Sequence, residues 1–168
     1  ISQLNHPCIL RFIGYSPLDF EGNKKPVIVT EYNSNGSLQN LFELTQKGVE
    51  IDEWDNTQKL MFIYGIDSCM SYLHSNDMIH RDLKPGNILL DDYLFPKLGN
   101  FCYTKEIDDV INESGNELKG IPKYLSPEIF EKEEYSKSSD VYAFALILYE
   151  IVSDEKPFSG NTVYQIMT

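Results

Sequence analysis

The stretch Ser138–Val152 contains an uncharged apolar run, Val141–Tyr149, and is apolar on nearly every side when wound as a helix. Such a helix is normally buried, so the chain has to build a lobe of other elements around it. The run is 9 residues long, far short of the roughly 20 needed to cross a bilayer, so its burial must be within protein. A second helix is expected from Asp55, a good N-cap. There Leu60, Ile63, Ile66, Met70 and Leu73 step by three or four residues into one apolar stripe. A shorter helix carries Leu38, Leu41, Phe42 and Thr45, with Gly48 as its stop. Ahead of these lie two strand-like runs, Cys8–Gly14 and Pro26–Tyr32, separated by the turn-prone Ser16–Lys25. Asn76–Asp92 reads as a loop enclosing the apolar run Ile88–Leu90, and Tyr103–Gly120 as a long acidic loop without periodicity. A few strands followed by mostly helices imply an α+β fold with a small sheet.

Charge narrows the partners. The 168 residues hold 14 Lys+Arg against 26 Asp+Glu, a formal net charge of −12. Arg11 and Arg81 are the only arginines, and no basic stripe could follow a phosphate backbone, so nucleic acid is excluded as a partner. Anionic membrane surfaces are excluded on the same ground. Cys8, Cys69 and Cys102 are far apart and odd in number, which suggests neither a zinc site nor a disulfide framework and points to reduced thiols in the cytoplasm. With 42% hydrophobic residues the chain can bury a core, as one domain or parts of two. Its first residue is Ile1, already within an apolar pattern, so the sequence reads as a piece of a longer product.

The segment His80-Arg81-Asp82-Leu83-Lys84-Pro85-Gly86-Asn87 resembles the catalytic loop of eukaryotic protein kinases, and the Lys84-Pro85 pair resembles the serine/threonine type. Other runs agree in order. Asn5-His6-Pro7 resembles the turn after the regulatory helix of the small lobe. Val27–Tyr32 resembles the fifth strand and hinge, and Asn35-Gly36-Ser37-Leu38 the start of the first large-lobe helix. Asn100-Phe101-Cys102 stands where the family has Asp-Phe-Gly, and Ser126-Pro127-Glu128 where it has Ala-Pro-Glu. Ser139–Phe144 resembles the central helix of the tyrosine-kinase-like branch. The resemblance implies a bilobal kinase-like fold: residues 1–32 as a remnant of the small lobe and hinge, and 33–168 as an incomplete helical large lobe. The catalytic loop would be 80–87 and the activation segment 100–128.

The family's reaction moves the γ-phosphoryl group of ATP to a serine or threonine of a protein substrate, with Mg²⁺. By position, Asp82 would accept or orient the proton of the attacking hydroxyl, Lys84 would offset charge on the transferring group, and Asn87 would give an oxygen to the metal. The backbone of Glu31 and Asn33 would bind adenine, with Thr30 behind it and Leu89 as its floor. His80 is expected to pack, and Asp140 to brace the catalytic loop or cap its helix. Phe12, His80 and Phe101, together with Ile1, would form the spine joining the lobes.

Four departures bear on activity. Asn100 replaces the metal-chelating aspartate, a loss expected to slow the chemistry by roughly 10²–10³ or more, at about 1.36 kcal/mol per tenfold. Cys102 replaces a glycine whose freedom to adopt φ > 0 is lost. Ile121 of Gly120-Ile121-Pro122 lacks the hydroxyl that would tie Asp82 to Lys84. The glycine-rich loop, the strand lysine and its glutamate partner would lie before Ile1, and the arginine partner of Glu128 beyond Thr168, leaving Glu128 at risk of burial without a partner. Impaired or absent catalysis is therefore expected. The alternative is a pseudokinase that binds protein partners as a scaffold. Thr104 and Ser114 are candidate phosphorylation sites whose phosphate Arg81 could pair with, in a segment already acidic through Glu106, Asp108, Asp109, Glu113 and Glu117.

Overall fold

Two helices organise the molecule, and each is set by its capping chemistry. In a computed structural model that describes residues 3–111, 122–132, 134–162 and 165–166, Asp55 accepts the backbone N–H of Gln58 at 2.7 Å. It thereby opens the long helix α2 (Asn56–Ser75), as its sequence position predicts. The shorter α1 (Leu38–Gln46) starts at Ser37, whose hydroxyl and backbone N–H share Asn40 in a capping box, and ends before Gly48 at φ +78°. The helix α5 (Lys137–Ser153) is capped by Ser136 with Ser139, which frees Asp140 from the capping role. Two short helices, α3 (Ile107–Ile111) and α4 (Pro127–Lys132), also lie among the described residues.

The strands among the described residues form three antiparallel pairs. β1 (Phe12–Ser16) pairs with β2 (Val27–Thr30), with an irregularity between Phe12 and Gly14. β3 (Met78–Ile79) pairs with β6 (Lys105–Glu106), and β4 (Ile88–Leu90) with β5 (Pro96–Leu98). The first predicted strand starts later than its apolar run suggests. Cys8 to Leu10 meet Leu98 instead, through an Ile9–Leu98 bridge and backbone bonds of 2.7 and 2.8 Å. This lashes the leading segment to β5.

Phe62, Ile66, Cys69 and Leu73 of α2 face Ile88, Leu90 and Leu98 of the β4–β5 pair and Ile147 and Ile151 of α5 in one core. Burial of each such side chain contributes roughly 1.5–3 kcal/mol. Gly65 makes the contact between α2 and β5 possible: a Cβ there would lie 2.5 Å from the Pro96 ring. Two expectations need correction. Leu60 is 67% exposed, because the buried stripe is centred on Phe62 and Ile66, and Leu60 projects from the far side of the helix. Nor is α5 buried all round. Ala143, Ile147 and Ile151 face the core, while Val141, Tyr149 and Val152 lie open on the opposite side. Glu128 is only half-buried, which removes the predicted hazard of a fully buried lone carboxylate.

Candidate active site

The loop between β3 and β4 is held from below by one carboxylate. Asp140, 2% exposed on α5, accepts the backbone N–H of His80 at 2.8 Å and of Arg81 at 3.0 Å, and lies 3.1 Å from His74 Nε2. Bracing the loop is thus its role. The brace holds Arg81 at φ +70°, a conformation a non-glycine residue adopts only under constraint. His80 is fully buried. Its Nε2–H donates to the Gly99 carbonyl (3.1 Å), its Nδ1 accepts Asp82 N–H (3.3 Å), and it meets Phe101 edge-on at 5.3 Å. Burial pushes its pKa down, against the pull of Asp140. A neutral packed histidine follows, as expected. Ile1, Ser114, Glu113, Glu117, Gly120 and Ile121 lie outside the described residues.

Four of the predicted site residues come together. Lys84 Nζ donates to both oxygens of the buried Asp82 carboxylate, at 2.7 and 2.9 Å. Asn87 Nδ2 donates to the Asp82 carbonyl (2.6 Å) and to Oδ2 (2.8 Å). Asn100 follows β5 in a left-handed conformation (φ +58°), which asparagine tolerates better than most residues. Its Nδ2 donates to Asn87 Oδ1 at 3.1 Å and reaches Asp82 Oδ2 at 3.4 Å. Cys102 is accommodated without strain, because the chain's positive φ falls on Asn100 and Cys102 sits in an ordinary helical turn.

The amide orientations follow from this network. Asn87 must present its NH₂ to the two acceptors on Asp82, so its Oδ1 faces Asn100. Asn100 must then answer with its own NH₂, since turning it over would set two acceptors against each other. This donor set does not suit Mg²⁺. The Asn87 oxygen is engaged by a proton donor, Asn100 brings no charge, and the one carboxylate is matched by Lys84. Among the described residues no cluster of three His, Cys, Asp or Glu side chains could hold a metal.

The residues assigned to the nucleotide lie on the adjoining segments. Thr30 ends β2 opposite Phe12. Glu31 exchanges bonds with Arg11, its N–H donating to the Arg11 carbonyl at 3.0 Å and its carboxylate accepting Arg11 N–H at 2.9 Å. Leu89 is half-exposed between the buried Ile88 and Leu90, so it turns away from the core, and it bridges to Ser37. Asn33 Nδ2 is buried with no partner among the described residues. An unsatisfied buried donor is free to bind a hydrogen-bonding ligand. Among the described residues no hydrogen bond or ion pair ties Thr30, Glu31 or Asn33 to the Asp82 group, and Leu89 lies two residues beyond Asn87.

The model for "Protein tyrosine and serine/threonine kinase" matches residues 1–168. The chain belongs to the protein kinase family. Similar curated proteins include a putative serine/threonine-protein kinase A of Trypanosoma brucei brucei, 31% identical over all of this chain and 38% of that protein. They also include the serine/threonine-protein kinase VIK of Arabidopsis thaliana, 36% identical over 97% of this chain and 36% of the relative. The Drosophila melanogaster serine/threonine-protein kinase polo is 34% identical over 96% of the chain and 26% of that protein. The chain thus spans well under half the length of each of these relatives.

Two features of this kinase domain escape a reading by motif. Tyr124 donates its hydroxyl to the buried Glu150 of α5 at 2.9 Å. Burial pushes the Glu150 carboxyl up, while the Tyr124 bond and the nearby Lys123 and Lys156 pull it down. An acid inside the apolar stretch of α5 was the signal available for it. The other is Arg81, whose guanidinium rests on the Tyr135 ring at 4.4 Å. Thr104, half-buried, donates to the His80 carbonyl at 3.4 Å.

Proposed function

We propose that this chain is the ATP-directed core of a serine/threonine protein kinase whose phosphoryl transfer is strongly attenuated by Asn100. In this reading residues 1–32 form the small-lobe remnant and hinge and 33–168 the large lobe, with the catalytic loop at 80–87 and the activation segment at 100–128. Thr30, Glu31, Asn33 and Leu89 seat the nucleotide. Asp82, oriented by Lys84 and Asn87, faces the hydroxyl of a protein substrate and takes its proton. Lys84 turns from Asp82 toward the incoming phosphoryl charge. A bound Mg²⁺ supplies charge neutralisation to the phosphates in the family's chemistry; here Asn87 and Asn100 are already bonded to each other.

That bond, 3.1 Å from Asn100 Nδ2 to Asn87 Oδ1, carries the proposal. An aspartate at position 100 would set two oxygens together and call for a cation between them. The asparagine supplies a proton in its place. The test is Asn100→Asp in the full-length protein, assayed for Mg²⁺-dependent phosphate transfer from ATP to a generic protein substrate. A gain of roughly 10²–10³-fold is expected. The same bond also favours a second reading, a scaffold that engages protein partners without turnover, and an unchanged activity in Asn100→Asp would select it. The free thiols of Cys8, Cys69 and Cys102 suit a cytoplasmic signalling role in either case, and among the described residues no helix is long and apolar enough to cross a membrane.

A further inference from the structure

Beside the Asp82 group lies a small cavity of about 90 Å³, room for several waters and so for a carboxylate or phosphate group. Its walls include Lys84, Lys123, Lys156, Tyr124, Glu150 and Phe42. Apart from Lys84, two lysines stand against one carboxylate, in a chain that carries a net charge of −12. Lys84 is matched by Asp82. Among the described residues, Lys123 and Lys156 join no ion pair, and Lys123 is held over the Tyr124 ring at 5.1 Å. Glu150 is occupied by the Tyr124 hydroxyl, and one carboxylate cannot neutralise two lysines.

We infer that this cavity receives an anionic side chain of the protein substrate, an Asp, a Glu or a phosphorylated serine placed near the accepting hydroxyl. The inference rests on the kinase reading of Asp82 and Lys84 and adds the substrate class. Lys84 belongs to both sites: its ammonium is bonded to Asp82, and it is among the residues that line the anion cavity. An acidic residue close in sequence to the target serine would be drawn to Lys123 and Lys156 while the serine hydroxyl approaches Asp82. Lys156 is exposed and Lys123 half-exposed, so both can reach an incoming chain.

The test is binding of labelled serine peptides to the full-length protein, followed by fluorescence anisotropy, with the serine flanked by Glu, by phosphoserine, by Gln or by Arg. The Glu and phosphoserine peptides are expected to bind roughly tenfold tighter than the Gln peptide, the combined worth of two partly exposed ion pairs. Comparing these two arms tells a carboxylate ligand from a phosphate. Lys123→Glu with Lys156→Glu should abolish the preference while leaving the Gln peptide unchanged, and Lys156→Gln alone should halve it or more. Equal binding of the Gln peptide, tightest binding of the Arg peptide, or a preference that survives charge reversal overturns the inference. Because binding needs no turnover, its failure is separable from failure of the kinase reading, which the activity of Asn100→Asp reports independently.

Discussion

Replacing Asp140 isolates what holds the loop from His80 to Asn87 in shape. The carboxylate is 2% exposed and accepts two backbone N–H groups from consecutive residues, His80 and Arg81. Asp140→Ala strands both donors in a fully buried setting. Each orphaned donor costs about 1–3 kcal/mol, so the loss should be about 2–6 kcal/mol. To this is added the release of Arg81, whose left-handed backbone costs about 1–2 kcal/mol and is maintained by that same bond. The second contribution has the opposite sign, because relaxing Arg81 recovers its strain, so the net loss should be about 0–5 kcal/mol, and about 2.5 kcal/mol at mid-range values. Asp140→Asn keeps one acceptor and should cost less. The control is Asp55→Ala, an exposed helix cap expected to cost about 1 kcal/mol. Urea unfolding of the full-length protein, with amide exchange at His80 and Arg81, measures both quantities. If Asp140→Ala costs no more than the Asp55 control, or if the two amides stay protected, the brace is not what shapes the loop.

Three further outcomes follow from other contacts. Gly65→Ala should destabilise by about 1–3 kcal/mol, because its Cβ would collide with the Pro96 ring, and a lowered thermal midpoint checks it. Glu150, its carboxyl pushed up by burial, binds more protons folded than unfolded at pH values between its two pKa values. Its burial therefore disfavours folding progressively as pH rises through that window and not below the unfolded value. Glu150→Gln should gain stability relative to the parent from acid to neutral pH, and unchanged pH curves would count against it. In Asn100→Asp the new carboxylate and the Asn87 oxygen face each other with no proton between them. The variant's melting temperature should rise with added Mg²⁺, whereas the parent's should not move.

The helices were legible because capping is local. Asp55 and Ser37 act on donors three residues away, and that spacing is written in the sequence. Which face a helix buries is not local. Leu60 fits the spacing of the α2 stripe, yet the partner sheet centres on Phe62 and Ile66 and leaves Leu60 in solvent. On α5 the sequence offers apolar side chains all round, and only packing against α2 and the β4–β5 pair selects Ala143, Ile147 and Ile151. Strand edges shifted for the same reason: Cys8 to Leu10 are as strand-like as Phe12 to Ser16, but their partner is Leu98, far along the chain.

At the site, residue identity carried more than geometry did. Eight adjacent letters named Asp82, Lys84 and Asn87, and their place in the family's order named Asn100. What no letter discloses is that these four side chains satisfy one another. Asn87 spends its NH₂ on Asp82, and this choice alone forces Asn100 to turn a donor toward it. An asparagine at position 100 thus does more than withhold a carboxylate's charge. It converts a pair of oxygens that repel unless a cation joins them into a donor and an acceptor that attract. A simple deficit of metal affinity would be overcome by raising Mg²⁺, whereas a competing internal bond has to be broken first. Activity of the parent protein that climbs to the Asn100→Asp level at high Mg²⁺ would favour the former, and a plateau well below that level the latter.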